Sequence, residues 1–352
     1  MSTDFKPLRL GVLGAGTAAN LTLSQLSGSP LVSVETIAGH GEASSRAAAA
    51  RFGIGRVSAG PDALIADPEI EAVYIALPIG AHARWASDAL RAGKHVLVEK
   101  PATASARELE EVDAARRSSG KLFMEGMMVR HHPQWHAVME TIRSGAIGDV
   151  RAIQGALTRV PPGADDPAQA FNRTDLGWSV LRDNGCYIAH LARFVFGAEP
   201  DRVAAIGETD PRFGTLASAT ALMHFPSGTA SFTISTQMRR LQRFNILGTK
   251  GRIEVMLPVM QVGGQPAVVT VDSDDEALSR ELVFRDVAQF RLQMESFARA
   301  VRGIEPPLVP MSDAMANMRA LDALAHSAQA AGRWVDVDAL PAEGVAREGA
   351  LA

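Results

Sequence analysis

Residues 8–19 read Leu8-Arg9-Leu10-Gly11-Val12-Leu13-Gly14-Ala15-Gly16-Thr17-Ala18-Ala19, an apolar run that leads into a glycine-rich turn. The run is typical of a short buried strand. Gly14, Gly16 and Ala19 then form the pattern G-x-G-x-x-A, in which the first glycine permits a tight turn and the second lets the backbone approach a pyrophosphate. Thr17 and Ala18 open a helix whose unpaired N–H groups suit an anion. The segment therefore predicts a dinucleotide-binding turn.

The end of the second predicted strand, residues 31–38, bears on which nicotinamide cofactor the chain takes. An acidic side chain about 20 residues after the fingerprint would bind the ribose 2′-hydroxyl, and Glu35 has that spacing. Glu35 lies within the strand, however, and the strand tip falls at Gly39 and His40, where no carboxylate would repel a 2′-phosphate. His40 and Arg46 are candidate partners for such a phosphate. The sequence favours NADP(H), with NAD(H) as the alternative.

Apolar segments alternate with helical ones as far as residue 125, which predicts a parallel sheet covered on both faces. Beyond that point, consecutive strand-like runs between residues 149 and 256 indicate a mainly antiparallel sheet. The predicted fold class is therefore α/β, with an amino-terminal Rossmann domain and a carboxy-terminal α+β domain. The predicted division is 1–125 for dinucleotide binding, 126–340 for substrate binding and oligomerisation, and 341–352 for a tail.

Composition narrows the functional classes. The chain has 352 residues, 47% of them hydrophobic, with a net charge of −4 and no basic stripe of the kind that binds nucleic acid. Its single cysteine, Cys186, cannot form an internal disulfide, which favours a reducing, cytoplasmic location. We find no secretory signal and no apolar run of transmembrane length. The expected partner is a small molecule, not nucleic acid or a membrane, and no metal site is expected.

Several motifs after the fingerprint resemble those of the Gfo/Idh/MocA oxidoreductases, named for glucose–fructose oxidoreductase and inositol dehydrogenase. Residues 93–101 end in Glu99-Lys100-Pro101, and Leu77, Pro78 and His82 precede them. Further matching segments are 124–133, 145–148, Asp183-Asn-Gly-Cys-Tyr187 and 248–251. Within the family the chain looks closest to NADP-dependent sugar dehydrogenases and dimeric dihydrodiol dehydrogenases.

This resemblance implies hydride transfer between a nicotinamide and a carbon that bears a hydroxyl or a carbonyl. It implies an open-faced sheet in the second domain, often used for dimerisation, so we expect a homodimer or homotetramer. It also places the turn containing Leu77, Pro78 and His82 against the nicotinamide half of the cofactor, and Glu99 and Arg173 near the bound molecules.

Three residues are the predicted catalytic set. Lys100 follows a buried strand at its carboxyl end, where ligands bind in open α/β sheets, and its ammonium would stabilise developing alkoxide charge. Asp183 and Tyr187 are four residues apart on a predicted helix and so share one face. Tyr187 is the predicted proton donor or acceptor, a position where many family members carry histidine. Asp183 would orient the substrate hydroxyl, Lys100 or Tyr187.

The sequence departs from the family pattern before Asp183, where relatives usually have three glycines and this chain has Gly177-Trp178-Ser179. Trp178 either narrows the pocket, stacks on a substrate ring or fills hydrophobic space. The leading interpretation is an NADP(H)-dependent dehydrogenase or reductase for a sugar, polyol or cyclic diol. Two alternatives remain open: a non-catalytic regulator that senses the cofactor, and a glycoside hydrolase that retains its NAD.

Overall fold

The computed structural model describes residues 6–39, 41–261 and 264–339. The described residues form two compact units, one from those up to His131 with Ala288–Met315 and the other from those of His132–Val287 with those from Ala316 onward. The functional division at residues 125 and 340 stays a prediction. His40 and the predicted tail 341–352 lie outside the described residues.

The strands and helices are numbered here in chain order. The strands are β1 (Leu8–Leu13), β2 (Val32–Ala38), β3 (Arg56–Val57), β4 (Ala72–Ile75), β5 (His95–Glu99), β6 (Phe123–Gly126), β7 (Val150–Thr158), β8 (Arg202–Thr209), β9 (Leu216–Phe225), β10 (Gly228–Ser235), β11 (Leu241–Gly248), β12 (Gly251–Met256), β13 (Ala267–Ser273), β14 (Arg280–Phe284) and β15 (Val335–Asp336). The α-helices are α1 (Thr17–Leu26), α2 (Glu42–Phe52), α3 (Pro61–Ala66), α4 (His82–Arg91), α5 (Ala106–Ser119), α6 (Pro133–Arg143), α7 (Cys186–Phe196), α8 (Gln289–Val301) and α9 (Met311–Gln329).

The first unit contains a parallel sheet in the order β3-β2-β1-β4-β5-β6. Its central strands are almost entirely apolar and buried, as a sheet covered on both faces requires. The strand order reverses between β1 and β4. In open α/β sheets, ligands bind outside the carboxyl ends of the strands at such a reversal. The turns after β1, β4 and β5 are therefore the expected location of a cofactor site.

The second unit contains a sheet in the order β14-β13-β12-β11-β7-β10-β9-β8-β15. All its neighbouring strands are antiparallel except β7 and β10, which pair in parallel. Helix α7 packs on one face, where a Cβ at Gly155 of β7 would lie 2.9 Å from Ile188. This close contact explains the glycine in mid-strand. The two sheets confirm the predicted fold class.

Candidate active site

The glycine-rich turn after β1 has the geometry that the fingerprint predicts. Gly14 has φ of +115°, a conformation that side chains rarely adopt, and its N–H donates to the carbonyl of Ala38 at 2.7 Å. A Cβ at Gly14 would lie 2.3 Å from the carbonyl oxygen of Ala76. A Cβ at Gly16 would meet no described heavy atom outside its chain neighbours within 4 Å. Gly14 is thus needed for the turn itself, whereas Gly16 leaves open space beside it.

The start of α1 fits a pyrophosphate. Gly16 is the N-cap residue and carries no side chain to occupy the first N–H groups of the helix, which belong to Thr17, Ala18 and Ala19. The amide of Asn20 donates hydrogen bonds to the carbonyls of Ala15 and Gly16, at 2.9 and 2.8 Å, and so fixes the glycine-rich turn that precedes the helix. The open space at Gly16 and the uncapped helix end are what an anionic ligand needs.

The end of β2 is arranged as the sequence indicates. Glu35 lies within the strand and accepts a 2.6 Å hydrogen bond from Ser33, while the strand continues to Ala38. The Gly39 N–H donates to the hydroxyl of Ser45 at 2.7 Å. Arg46 of α2 is exposed and paired with Glu42 one turn earlier. Arg46 could therefore bind a 2′-phosphate near the end of β2 if it gave up its ion pair with Glu42. A surface ion pair of this kind is a weak interaction.

His82, at the start of α4, lies between the turns that follow β4 and β5. Its ring is only 1% exposed. Nε2 lies 2.8 Å from the carbonyl oxygen of Leu77, and Nδ1 lies 3.0 Å from that of Pro101. Burial is the main cause that lowers the pKa of His82, the carbonyl contacts oppose it, and the charge of Lys100 lowers it further. A neutral ring between two backbone carbonyls therefore joins the two turns.

The turn that carries Lys100 is held by buried polar side chains on either side. Tyr74 of β4 donates to Glu99 at 2.6 Å and lies 2.9 Å from the hydroxyl of Thr22. The Ala102 N–H donates to the buried carboxylate of Glu125 at 2.9 Å. The Lys100–Pro101 peptide bond is cis. Lys100 itself is half-buried. The backbone that carries its ammonium group is held by hydrogen bonds both before and after this residue.

Asp183 and Tyr187 lie in the second unit, where the predicted helix has two parts. A π-helical turn spans Leu181–Gly185, and α7 begins at Cys186. Asp183 thus sits in the middle of the π-helical turn, a feature found frequently at functional sites. Tyr187 lies in the first turn of α7 and is 7% exposed. Asn317 of α9 donates to the Cys186 carbonyl at 3.3 Å and supports this junction.

Other side chains surround Asp183 or lie before it in the chain. Arg159, one residue after β7, places its guanidinium 3.6 Å from the Asp183 carboxylate. Arg173 is exposed and donates to Asp175 at 3.0 Å, a bond that raises the pKa of Arg173. Trp178 is buried and meets Phe171 edge to face, with ring centroids 6.3 Å apart. This burial favours the interpretation of Trp178 as packing.

The structure adds residues that the sequence analysis missed. Tyr74 is one of only two tyrosines and carries the hydroxyl of an otherwise apolar strand, which was an available signal. Arg159 comes directly after β7, but a lone arginine at a strand end has no distinctive pattern. Glu125 belongs to a matching segment, yet its bond to the Ala102 N–H depends on the pairing of β5 with β6.

Comparison with known proteins assigns the family. Residues 8–127 match the oxidoreductase family with an NAD-binding Rossmann fold, and residues 135–254 match the GFO/IDH/MocA carboxy-terminal domain. The chain belongs to the Gfo/Idh/MocA oxidoreductases. These matches confirm the predicted family and the predicted class of nicotinamide-dependent oxidoreductase.

Individual relatives match nearly the whole chain. An uncharacterized oxidoreductase from Rhizobium meliloti is 37% identical, over 94% of this chain and 99% of the relative. A D-xylose 1-dehydrogenase (NADP(+)) from Haloferax volcanii is 33% identical, over 94% of this chain and 98% of the relative. The structure of a 3-ketoreductase from Actinomadura kijaniata with NADP and TDP-benzene is 29% identical, with a TM-score of 0.83 over 91% of this chain and 98% of the other. The NADP(+) in the name of the xylose dehydrogenase and the NADP in the ketoreductase structure agree with the predicted cofactor preference.

Across residues 6–39, 41–261 and 264–339, no helix is long and apolar enough to cross a membrane.

Proposed function

We propose that this chain is an NADP(H)-dependent oxidoreductase that transfers a hydride between the nicotinamide and the hydroxyl or carbonyl carbon of a sugar, polyol or cyclic diol. The observation that carries the proposal lies in the first unit. There the open turn at Gly16 and the turn with Lys100 follow β1 and β5, on either side of β4 in one parallel sheet. The carboxyl ends of these strands meet at one edge, so a phosphate cradle and a cation face the same side.

The cofactor, when bound, supplies or accepts the hydride. The backbone at Gly16 and the amino-terminal N–H groups of α1 would hold its pyrophosphate, and Arg46 its 2′-phosphate. The turn at Leu77 and Pro78 would lie against its nicotinamide half. The pyrophosphate assignment rests on the uncapped helix end and the space at Gly16, that of Arg46 on its exposed place in the helix after β2, and that of the turn at Leu77 and Pro78 on the family resemblance.

The protein's own residues handle the proton and the charge. In the reducing direction the phenol of Tyr187 donates its proton to the carbonyl oxygen of the substrate as the carbon gains the hydride, and in the oxidising direction the phenolate takes the proton back. The ammonium of Lys100 stabilises negative charge on that oxygen. Asp183 orients the substrate hydroxyl, and its ion pair with Arg159 holds the carboxylate in place.

Two of the relatives described above have names that suggest the first substrates to test. One is a pentose dehydrogenase, and the other is a ketoreductase whose structure contains TDP-benzene. We would follow nicotinamide absorbance with free aldoses, polyols, cyclic diols and a dTDP-linked keto sugar, offering NADP(H) and NAD(H) separately. Turnover with one class supports the proposal. Tight cofactor binding with no turnover in either direction would favour the regulator, and cofactor that survives desalting would favour the hydrolase.

The assembly and location are part of the same proposal. We infer a cytoplasmic homodimer or homotetramer that uses the outward face of the second-unit sheet. On that face Ile206 of β8 and Leu222 of β9 are 67% and 44% exposed, which is unusual for large apolar side chains on neighbouring strands. The test is the mass of each protein, measured by light scattering as it elutes from a size-exclusion column. An Ile206→Asp variant of smaller mass than the wild type would support this inference. A wild type that is itself a monomer, with a variant of the same mass, would contradict it.

A further inference from the structure

We propose that His82 is a positioning residue for Lys100, and that it acts through the hydrogen bond from its Nδ1 to the carbonyl of Pro101. The inference rests on the proposed function, because it concerns how the reactive lysine of that function is held. It replaces the expectation from the family resemblance that His82 itself contacts the cofactor.

The ring of His82 is closed to partners outside the protein. His82 is 1% exposed, and both of its nitrogens lie within 3.0 Å of backbone carbonyl oxygens. These polar atoms are the only ones that the ring offers to a partner. A cofactor atom would therefore have to displace a protein carbonyl to bond with the ring. The geometry fits a link between two segments of the protein.

The ring of His82 joins the turn after β4 to the turn after β5. Leu77 lies in the turn after β4, and Pro101 directly follows Lys100 in the turn after β5. A carbonyl oxygen can only accept, and a neutral imidazole has one N–H, so the ring donates to one carbonyl at a time. Donation from Nδ1 fixes the carbonyl of the Pro101–Ala102 peptide, the second peptide after Lys100. Donation from Nε2 fixes the turn at Leu77.

The Lys100 turn has two other side-chain supports. Tyr74 holds Glu99 on one side, and Glu125 holds the N–H of Ala102 on the other. Only His82 among these three contacts a backbone atom of the residue next to Lys100. Its loss leaves the Pro101–Ala102 peptide held by Glu125 at its N–H but no longer by His82 at its carbonyl, so the peptide plane, and with it the turn that carries Lys100, can tilt. A shift of about 1 Å at a reacting group can cost about 100-fold in rate.

The experiment uses three substitutions in the full-length protein. Asparagine places an amide N–H where Nδ1 stands, glutamine places one where Nε2 stands, and alanine removes both. We expect His82→Ala and His82→Gln to lose about 100-fold in kcat with little change in substrate KM, and His82→Asn to recover most of that loss. The affinity for NADPH, measured by fluorescence, should change little in all three. Equal kcat losses in His82→Asn and His82→Gln, or loss of NADPH affinity in step with kcat, would overturn the proposal.

His95 provides the matched control. It lies at the opposite end of β5, where its Nδ1 accepts from the Leu122 N–H at 3.0 Å. His95→Asn makes the same chemical change as His82→Asn, but at a histidine in β5 that is far from Lys100. It should alter thermal stability without the kcat pattern of the His82 variants. A kcat loss in His95→Asn as large as in His82→Gln would show that any destabilisation of the sheet has this effect, and the proposal would fall.

A spectroscopic readout keeps the inference independent of turnover. The lysines of the chain are Lys6, Lys94, Lys100, Lys121 and Lys250, few enough for their ¹³C-dimethylated amines to be resolved by NMR and assigned by substitution. The Lys100 signal should shift or broaden in His82→Gln and return towards the wild-type position in His82→Asn. An identical Lys100 signal in all proteins would contradict the positioning role. If no substrate is turned over, the proposed function fails, and this signal still decides the role of His82.

Discussion

Gly14 lies so close to Ala76 that a Cβ on Gly14 would be 2.3 Å from the Ala76 carbonyl oxygen. This contact joins the glycine-rich turn to the strand beside it, at the reversal of strand order. Gly16, two residues later, has no such neighbour among the described residues. The two glycines of the fingerprint therefore serve different purposes, one for the fold and one for the ligand.

Replacing each glycine with alanine should separate these purposes. Gly14→Ala should destabilise the protein by more than about 1 kcal/mol, because its positive φ and the Ala76 carbonyl both oppose a side chain. Gly16→Ala should keep the stability but weaken NADPH binding, since the methyl group enters the space left for the pyrophosphate. Chemical denaturation and fluorescence titration measure the two effects. A Gly16→Ala protein that binds NADPH normally would exclude this turn as the phosphate site.

Lys100→Met should lower kcat/KM by about 100-fold or more, because the charge that stabilises the alkoxide is lost while the volume is kept. The affinity for NADPH should fall much less than turnover. Lys121→Met, which removes a lysine just before β6, is the control and should leave kcat/KM unchanged. Steady-state kinetics of both variants checks this, and comparable activity in Lys100→Met and wild type would remove Lys100 from the catalytic set.

Tyr187→Phe should lower kcat by about 100-fold or more while the protein stays folded. The phenyl ring retains the packing of a side chain that is 7% exposed, and only the proton-transferring hydroxyl is lost. Asp183→Asn should give a smaller loss, because it keeps the shape but removes the charge beside Arg159. Kinetics with circular dichroism as the folding check tests both. A larger effect in Asp183→Asn than in Tyr187→Phe would reverse the assigned roles.

Arg46→Ala should weaken NADPH binding by about tenfold, or about 1.4 kcal/mol, and leave NADH binding unchanged. Arg46 is exposed near the end of β2 and is paired with Glu42, which competes with a phosphate for it. Glu42→Ala should therefore tighten NADPH binding. Titration of both variants with both cofactors measures the preference. If the Arg46 and Glu42 variants changed neither affinity and Glu35→Gln weakened NADH binding, Glu35 would be the residue that binds the ribose.

The stability of the second unit should fall as the pH is lowered from about 6.5 to about 4. Burial lowers the pKa of His132 to about 4, so its ring is neutral in the fold but gains a proton in the unfolded chain as the pH falls below 6.5. The free energy of unfolding then decreases with falling pH by up to about 3 kcal/mol from this residue. His132 also caps α6, where Nδ1 accepts from the Gln134 N–H.

His132→Asn tests that pH dependence without removing the cap, because an asparagine oxygen can accept the same N–H bond. Denaturant unfolding at pH 7 and pH 4.5 should show a smaller loss of stability in this variant than in the wild type. The same slope in both proteins would mean that other groups, such as the half-buried His95, account for the loss.

Local patterns were sufficient to predict most of the elements. The patterns predict a helix over 42–52 and a strand over 202–209, and α2 and β8 have these bounds, because glycines flank the helix and aspartates flank the strand. Strands β13 and β14 were missed. β14 is an edge strand in which two charged residues precede three consecutive apolar ones, so no alternation marks it, and it is held by main-chain pairing with β13. The π-helical turn at Asp183 was read as ordinary helix, since a single wide turn leaves no periodic trace.

By itself the sequence determined the class of fold, the dinucleotide fingerprint, the family and the identity of Lys100, Asp183 and Tyr187 as candidates. These properties follow from residues that are neighbours along the chain, where spacing and side-chain type carry the information. Only the tertiary structure decided that His82 joins two turns, that Tyr74 holds Glu99 and that Arg159 lies beside Asp183. Such contacts depend on strand order, register and burial, because they bring together groups that the chain separates by many residues.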